Sequence, residues 1–179
     1  MEAKVSHGFE SHLLRQLGNE VIGSSITSHQ RKNFMKIMQF SIEIQAPRKK
    51  VWSALFDDKN FRDWGSIIDG GQYRVGDMKE GNEIQFISSA SGYGVTSLVE
   101  KLVPNEFVSF RQMADTKDSG KQDREKEWTG GTESYSLTEK EGATTLIVEI
   151  DIPPGLGEIF NDRFPKALKR VKDLAERKE

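Results

Sequence analysis

The last stretch of the chain constrains the fold most. From Leu156 to Glu179 the apolar residues Phe160, Phe164, Ala167, Leu168, Val171, Leu174 and Ala175 recur at three- and four-residue steps. That spacing places them along one face of a long helix. Asp162, Lys166, Lys169, Arg170, Asp173 and Arg177 fall on the other face. The helix follows a run of short strand patterns, so a sheet must cover its apolar stripe. A helix gripped by a sheet can leave a pocket between the two.

The strands are legible by alternation. Met38, Phe40, Ile42 and Ile44 alternate with Gln39, Ser41, Glu43 and Gln45, giving one apolar and one wet face. Pro47 ends this strand and suits the start of a helix. Val51, Trp52, Ala54 and Leu55 form the buried side of that helix, and Asp57 or Asp58 can cap a second one through Phe61 and Trp64. Short strands then follow at Gln72–Val75, Glu83–Ser88, Tyr93–Val103 and Phe107–Met113, divided by Gly- and Asn-containing turns. The polar run Ala114–Glu127 reads as a long mobile connection. Trp128–Thr138 and Thr144–Ile152 form a last hairpin, and Pro153-Pro154-Gly155 breaks the sheet before the final helix. Residues 1–34 read as a separate extension, partly helical through Phe9, Leu13 and Leu17, with Met35 and Met38 as alternative starts. Residues 35–179 read as one domain.

Composition narrows the chemistry. The chain has no cysteine, and its three histidines, His7, His12 and His29, all precede the domain. Disulfides, thiolate nucleophiles and cysteine-bound metals are excluded, and the domain lacks the commonest general acid–base residue and metal ligand. No metal site or cofactor is expected. The absence of cysteine fits a reducing cytoplasm, the expected location. A net charge of −2 gives no global attraction to nucleic acid or to an anionic membrane. No stretch approaches the roughly 20 apolar residues of a membrane span.

Several words in the chain are shared with a known family. They are Phe40-Ser41-Ile42-Glu43-Ile44 with Ala46-Pro47 and Val51-Trp52, and Phe61-Arg62-Asp63-Trp64. Val99-Glu100-Lys101 with Pro104-Asn105-Glu106-Phe107, and Trp128-Thr129-Gly130-Gly131 with Glu133 and Tyr135, belong with them. So does Phe164-Pro165-Lys166-Ala167-Leu168 with Val171-Lys172. Over residues 35 to 176 the chain resembles a START-like domain of the SRPBCC superfamily, and most closely the bacterial single-domain homologues of the activator of heat-shock-protein-90 ATPase. The resemblance implies an α+β helix-grip fold. A curved antiparallel sheet of about six to seven strands would wrap around the long C-terminal helix, with two short helices after the first strand. It does not settle function, because such families include ligand carriers, cyclases, hydrolases and co-chaperone domains.

The aromatic residues Trp64, Tyr73, Phe86, Tyr93, Phe110, Trp128, Tyr135, Phe160 and Phe164 lie on elements that a helix-grip fold brings together. They line a ligand cavity or fill an ordinary core. Glu133 is the most informative single residue. Alternation puts it on the face of Tyr135 and Leu137. An inward carboxylate there would hold its proton more tightly and could exchange it or meet a polar ligand group. It could instead pair with an Arg or Lys, or be turned outward by a bulge at Gly130-Gly131. Pro165 either kinks the final helix or starts its main part, because it cannot bond back to Asn161. Leu156–Phe164 is then a movable flap over the pocket mouth, or the proline makes a static kink that steers the helix across the sheet. The Lys166, Lys169, Arg170 and Lys172 stripe suits a helix C-terminal half.

The leading expectation is a non-catalytic module, monomeric or weakly dimeric, that binds a small apolar or amphipathic molecule. A chaperone-interacting protein is the second reading, implied by the resemblance. Two-domain activators of that family carry a further N-terminal domain that 34 residues cannot supply. A cyclase-, dehydratase- or hydrolase-type enzyme using Glu133, Tyr135 or Tyr93 is the third.

Overall fold

The computed structural model describes residues 35–118, 120–122, 130–153 and 155–177. Strands β1 (Lys36–Ile44), β2 (Gln72–Val75), β3 (Glu83–Ser88), β4 (Tyr93–Val103), β5 (Phe107–Lys117), β6 (Gly120–Gln122), β7 (Thr132–Lys140) and β8 (Ala143–Ile152) form one antiparallel sheet. Its order is β1-β8-β7-β5-β4-β3-β2, with β6 paired to β5 off this path. Helices α1 (Arg48–Phe56) and α2 (Asp58–Asp69) follow β1, and α3 (Gly157–Ala175) closes the described chain. This is the expected helix-grip arrangement. The proposed helix at Phe9–Leu17 and the polar residues 123–129 lie outside the described residues.

Alternation assigns the faces. In register, Met38 faces Ile150, Phe40 faces Val148 and Ile42 faces Leu146 across β1 and β8. Glu133, Tyr135 and Leu137 of β7 stand opposite Ile150, Val148 and Leu146. These residues share the concave face, and α3 lies against it with Phe164, Ala167, Leu168, Val171 and Ala175 buried. The Phe164 ring stacks on Phe40 at 4.8 Å between centroids. Fully burying one such apolar side chain is worth roughly 1.5–3 kcal/mol, so the stripe, rather than helix propensity, holds α3 in place.

Pro165 sits inside α3, which continues from Gly157 through Ala175 as one element. Polar contacts fix both halves of this helix. Arg170 grips Asp63 of α2 through two hydrogen bonds, Nε–Oδ1 at 2.6 Å and Nη2–Oδ2 at 2.8 Å. Arg163 Nη1 donates to the Ile68 carbonyl at 2.8 Å, near the C-terminal end of α2. The basic stripe is neutralised residue by residue: Lys166 pairs with Asp162, Lys169 with Asp173, Arg170 with Asp63 and Lys172 with Glu176. Gly70 ends α2 at φ 64°, a left-handed conformation that glycine adopts without steric cost.

Two local expectations change. The strand expected to stop at Met113 runs on to Lys117, so Ala114–Lys117 is sheet and not connection. A bulge at Thr96/Ser97 re-registers β5 on β4, with Ser97 opposite Gln112 and Thr96 opposite Ala114. Beyond it, buried threonines replace apolar residues: the Thr96 and Thr116 hydroxyls hydrogen-bond at 2.6 Å. Asp57 occupies the N-cap of α2 but makes no side-chain cap bond, and Asp58 instead pairs with Arg62 at 2.8 Å.

Candidate functional site

The concave face carries a chain of rings. Phe61 contacts Phe86, Phe86 meets Phe110 edge-on at 5.2 Å, and Phe110 meets Tyr135 at 6.4 Å. Phe56, at the end of α1, meets the same Tyr135 at 5.3 Å. A second stack, Phe40–Phe164–Phe160, lies over the β1 side. Most of these rings are buried, whereas Phe40, Phe86 and Phe160 keep part of their surface accessible. Edge-to-face pairs add about 0.5–1.5 kcal/mol beyond area burial, so the ring chain is a stiff wall.

Glu133 stands in this wall. It is directly opposite Phe110 on β5 and Ile150 on β8. The glycines before it do not turn it outward. Gly130 takes φ 88°, the Gly130 amide donates to the Gln112 carbonyl and the Gln112 amide donates to the Gly131 carbonyl, both at 2.9 Å. The sheet is therefore in register when β7 reaches Glu133. The Tyr135 hydroxyl donates to Glu133 Oε1 in a short hydrogen bond. Among the described residues no lysine or arginine pairs with this carboxylate. Protein surrounds Glu133, yet part of the residue's surface stays accessible, and by register its side chain lies on the concave face.

Burial raises the Glu133 carboxyl above its ordinary value, and the Tyr135 hydrogen bond only partly opposes this. Burial first, then the neighbouring carboxylate, pushes the Tyr135 phenol well above its usual range. The pair can hold a proton, accept one, or hydrogen-bond a neutral polar group. Its chemistry is that of a weak acid in apolar surroundings.

The other sequence-derived candidates divide. Phe86, Phe110, Phe160 and Phe164 belong to the concave face or to the helix above it. Trp64 is buried in α2, packs edge-on to Phe61, and donates its indole N–H to the Leu55 carbonyl at 3.0 Å. Tyr73 stands opposite Ile87 on the other face of β2, under the Arg62 guanidinium. Tyr93 lies at the strand end with Lys117 over its ring. Trp128 is outside the described residues.

Two residues not singled out from the sequence also face inward. Gln112 follows Val108 and Phe110 by the same alternation that places Glu133, so the signal was present. Arg74 stands opposite Phe86. It is half-buried, its charge is disfavoured by desolvation and partly restored by Asp58 and Asp57, and Nη1 lies 3.9 Å from Met78 Sδ. A cleft of about 280 Å³ lies elsewhere, where the end of α2 meets α3, lined by Ser66, Ile67, Asp69, Gly70, Asp162, Arg163 and Lys166. Its polar, mixed-charge walls do not resemble an apolar ligand site. Among the described residues no cluster of His, Asp or Glu is suited to hold a metal, and no helix is long and apolar enough to cross a membrane.

Comparison with known proteins agrees with the fold. The family model described as Activator of Hsp90 ATPase homolog 1-like protein matches residues 45–170. The Aha1 dimer of Colwellia psychrerythraea, solved in solution, is 21% identical with a TM-score of 0.61, over 79% of this chain and 97% of that one. A protein of Chromobacterium violaceum is 18% identical with a TM-score of 0.58, over 79% of this chain and 98% of that one. A protein of the dynemicin biosynthetic locus is 18% identical with a TM-score of 0.56 over 78% of this chain, which spans 47% of that protein. Likeness at these identities concerns the fold alone. No curated protein matches the chain.

Proposed function

Because the chain belongs to the Activator of Hsp90 ATPase homolog 1-like family, we propose that it uses the family's fold to bind a small apolar or amphipathic molecule against the concave sheet face. The observation that carries this reading is Glu133, an inward carboxylate bonded to Tyr135 among aromatic rings, with no cation partner among the described residues. A carboxylate that merely stabilised the fold would be expected to pair with a cation, because an uncompensated buried charge is costly. Phe86, Phe110, Tyr135, Phe160 and Phe164 supply the apolar wall, and Glu133 supplies one polar contact. The aromatic lining and the single acidic group suit a ligand that is mostly apolar with one polar end. The setting proposed is the cytoplasm, in keeping with a chain that has no cysteine.

A second reading is contact with a chaperone, which the family's description favours. Stimulation of the cognate chaperone's ATPase by the purified chain would support it. For the ligand reading, native mass spectrometry of gently purified protein is the test. The expected result is a mass above that of the polypeptide, with the excess released on denaturation. A bare polypeptide mass in repeated gentle preparations from the native host would count against it.

A further inference from the structure

Resting on that reading, we propose that Gln112, Ser97 and Glu133 form a hydrogen-bonding subsite that selects an uncharged ligand group with an acceptor and a donor side by side, as in a carboxamide. The three residues come from adjacent strands. Ser97 of β4 stands opposite Gln112 of β5, and Phe110, two residues before Gln112 on the same face, stands opposite Glu133 of β7. Gln112 and Glu133 are thus diagonal neighbours, a relation that sets Cα atoms about 7–8 Å apart and lets long side chains meet.

Each long side chain is half-engaged. Gln112 is only 4% exposed, and the Ser97 hydroxyl donates to its Oε1 at 2.8 Å. Among the described residues the amide Nε2 has no hydrogen-bond partner. The N–H2 pole of this amide is therefore open to an acceptor from a ligand. Glu133 uses Oε1 for Tyr135, and among the described residues Oε2 has no partner. Two free hydrogen-bonding ends therefore stand side by side on a mainly apolar wall, whose inward-facing cation, Arg74, lies beyond Phe110 on the edge strand β2 opposite Phe86.

The chemistry of the wall selects the class. A ligand carbonyl accepts from the Gln112 N–H, and the N–H or O–H beside it donates to Glu133. An anionic ligand would meet the carboxyl of Glu133 unfavourably. A cation would pair with Glu133 but leave the Gln112 N–H facing positive charge. A neutral group with both functions fits both residues. The pairing resembles a site built to hydrogen-bond its ligand, which rejects analogues lacking the group far better than an apolar pocket rejects an extra methylene.

The test uses four probes on a common ring: 2-naphthamide, 2-ethylnaphthalene, 2-naphthoate and 2-naphthylmethylammonium, titrated by fluorescence. For the native chain, 2-naphthamide is expected to bind more tightly than either charged probe. The ratio of the Kd of 2-ethylnaphthalene to that of 2-naphthamide is expected to fall about ten-fold or more in Gln112→Leu, because two hydrogen bonds are lost or misaligned. Retained binding of 2-ethylnaphthalene shows that the variant is folded. Should Gln112→Leu fail to fold, Ser97→Ala frees the amide to rotate and is expected to lower the same ratio about three-fold. A ratio unchanged within about two-fold in the variant that folds, with 2-ethylnaphthalene still bound, overturns the subsite but leaves the ligand reading standing. Tighter binding of 2-naphthylmethylammonium than of 2-naphthamide also overturns it. If none of the four probes binds, the ligand reading falls and takes the subsite with it.

Discussion

Phe110→Ala is expected to lower the unfolding free energy by about 3–5 kcal/mol, the usual cost of removing a phenyl ring from a packed core. Phe110 is 1% exposed and lies on β5 between β4 and β7. Its ring touches Phe86 on one side and Tyr135 on the other, so its loss removes the middle of the aromatic chain. Surrounding side chains cannot collapse onto the gap without breaking strand register, because Phe110 is locked opposite both Val99 and Glu133. Urea denaturation checks this: the midpoint should fall while the slope stays constant. Phe110→Leu should recover most of the loss, since it refills much of the volume. A loss below about 1 kcal/mol would mean that the ring fills little space, contrary to the packing described.

Glu133→Gln should make the protein more stable than wild type at pH about 8 and equally stable at pH about 4. The sign follows from burial. The folded Glu133 carboxyl holds its proton to a higher pH than the unfolded chain does. Wild-type stability is therefore fully present below the unfolded value and is lost as pH rises through the folded one. Glutamine never ionises, and its oxygen can still accept the Tyr135 hydroxyl. Other groups shift in the opposite sense. Asp63 is held low by Arg170, and Glu176 by Lys172, so they cost stability as pH falls. They are shared by both proteins and cancel in the difference. The melting temperature of the variant should exceed wild type by about 2 °C or more near pH 8, which corresponds to roughly 1 kcal/mol in a chain of this size. A constant offset across pH, or a more stable wild type at pH about 8, would show that Glu133 is compensated as a charge.

The final helix and the faces of the sheet were legible because each rests on a simple period. The stripe from Phe164 to Ala175 needed only a 3.6-residue repeat, and Glu133 needed only a two-residue one. Gln112 was equally readable by alternation after Val108 and Phe110. A glutamine nonetheless resembles a solvated position until its burial is known. The extension of β5 through Lys117 was illegible for a different reason. After the bulge at Thr96/Ser97 the buried positions are filled by Asp115 and Thr116, and polar composition there mimics a connection. Trp64 and Tyr73 looked like cavity residues by type. Only tertiary placement shows the first donating to Leu55 and the second on the other face of its strand.

The proposed ligand sits on the concave face near Glu133 and Tyr135. Intermolecular NOEs from bound 2-ethylnaphthalene, measured on the methyl- and aromatic-labelled protein, test this placement most directly. The expected result is a set of contacts to the rings of Tyr135 and Phe86 and to the Ile150 methyls. Contacts confined to the exposed apolar side chains Ile37, Val75, Val103 and Met113 would contradict it.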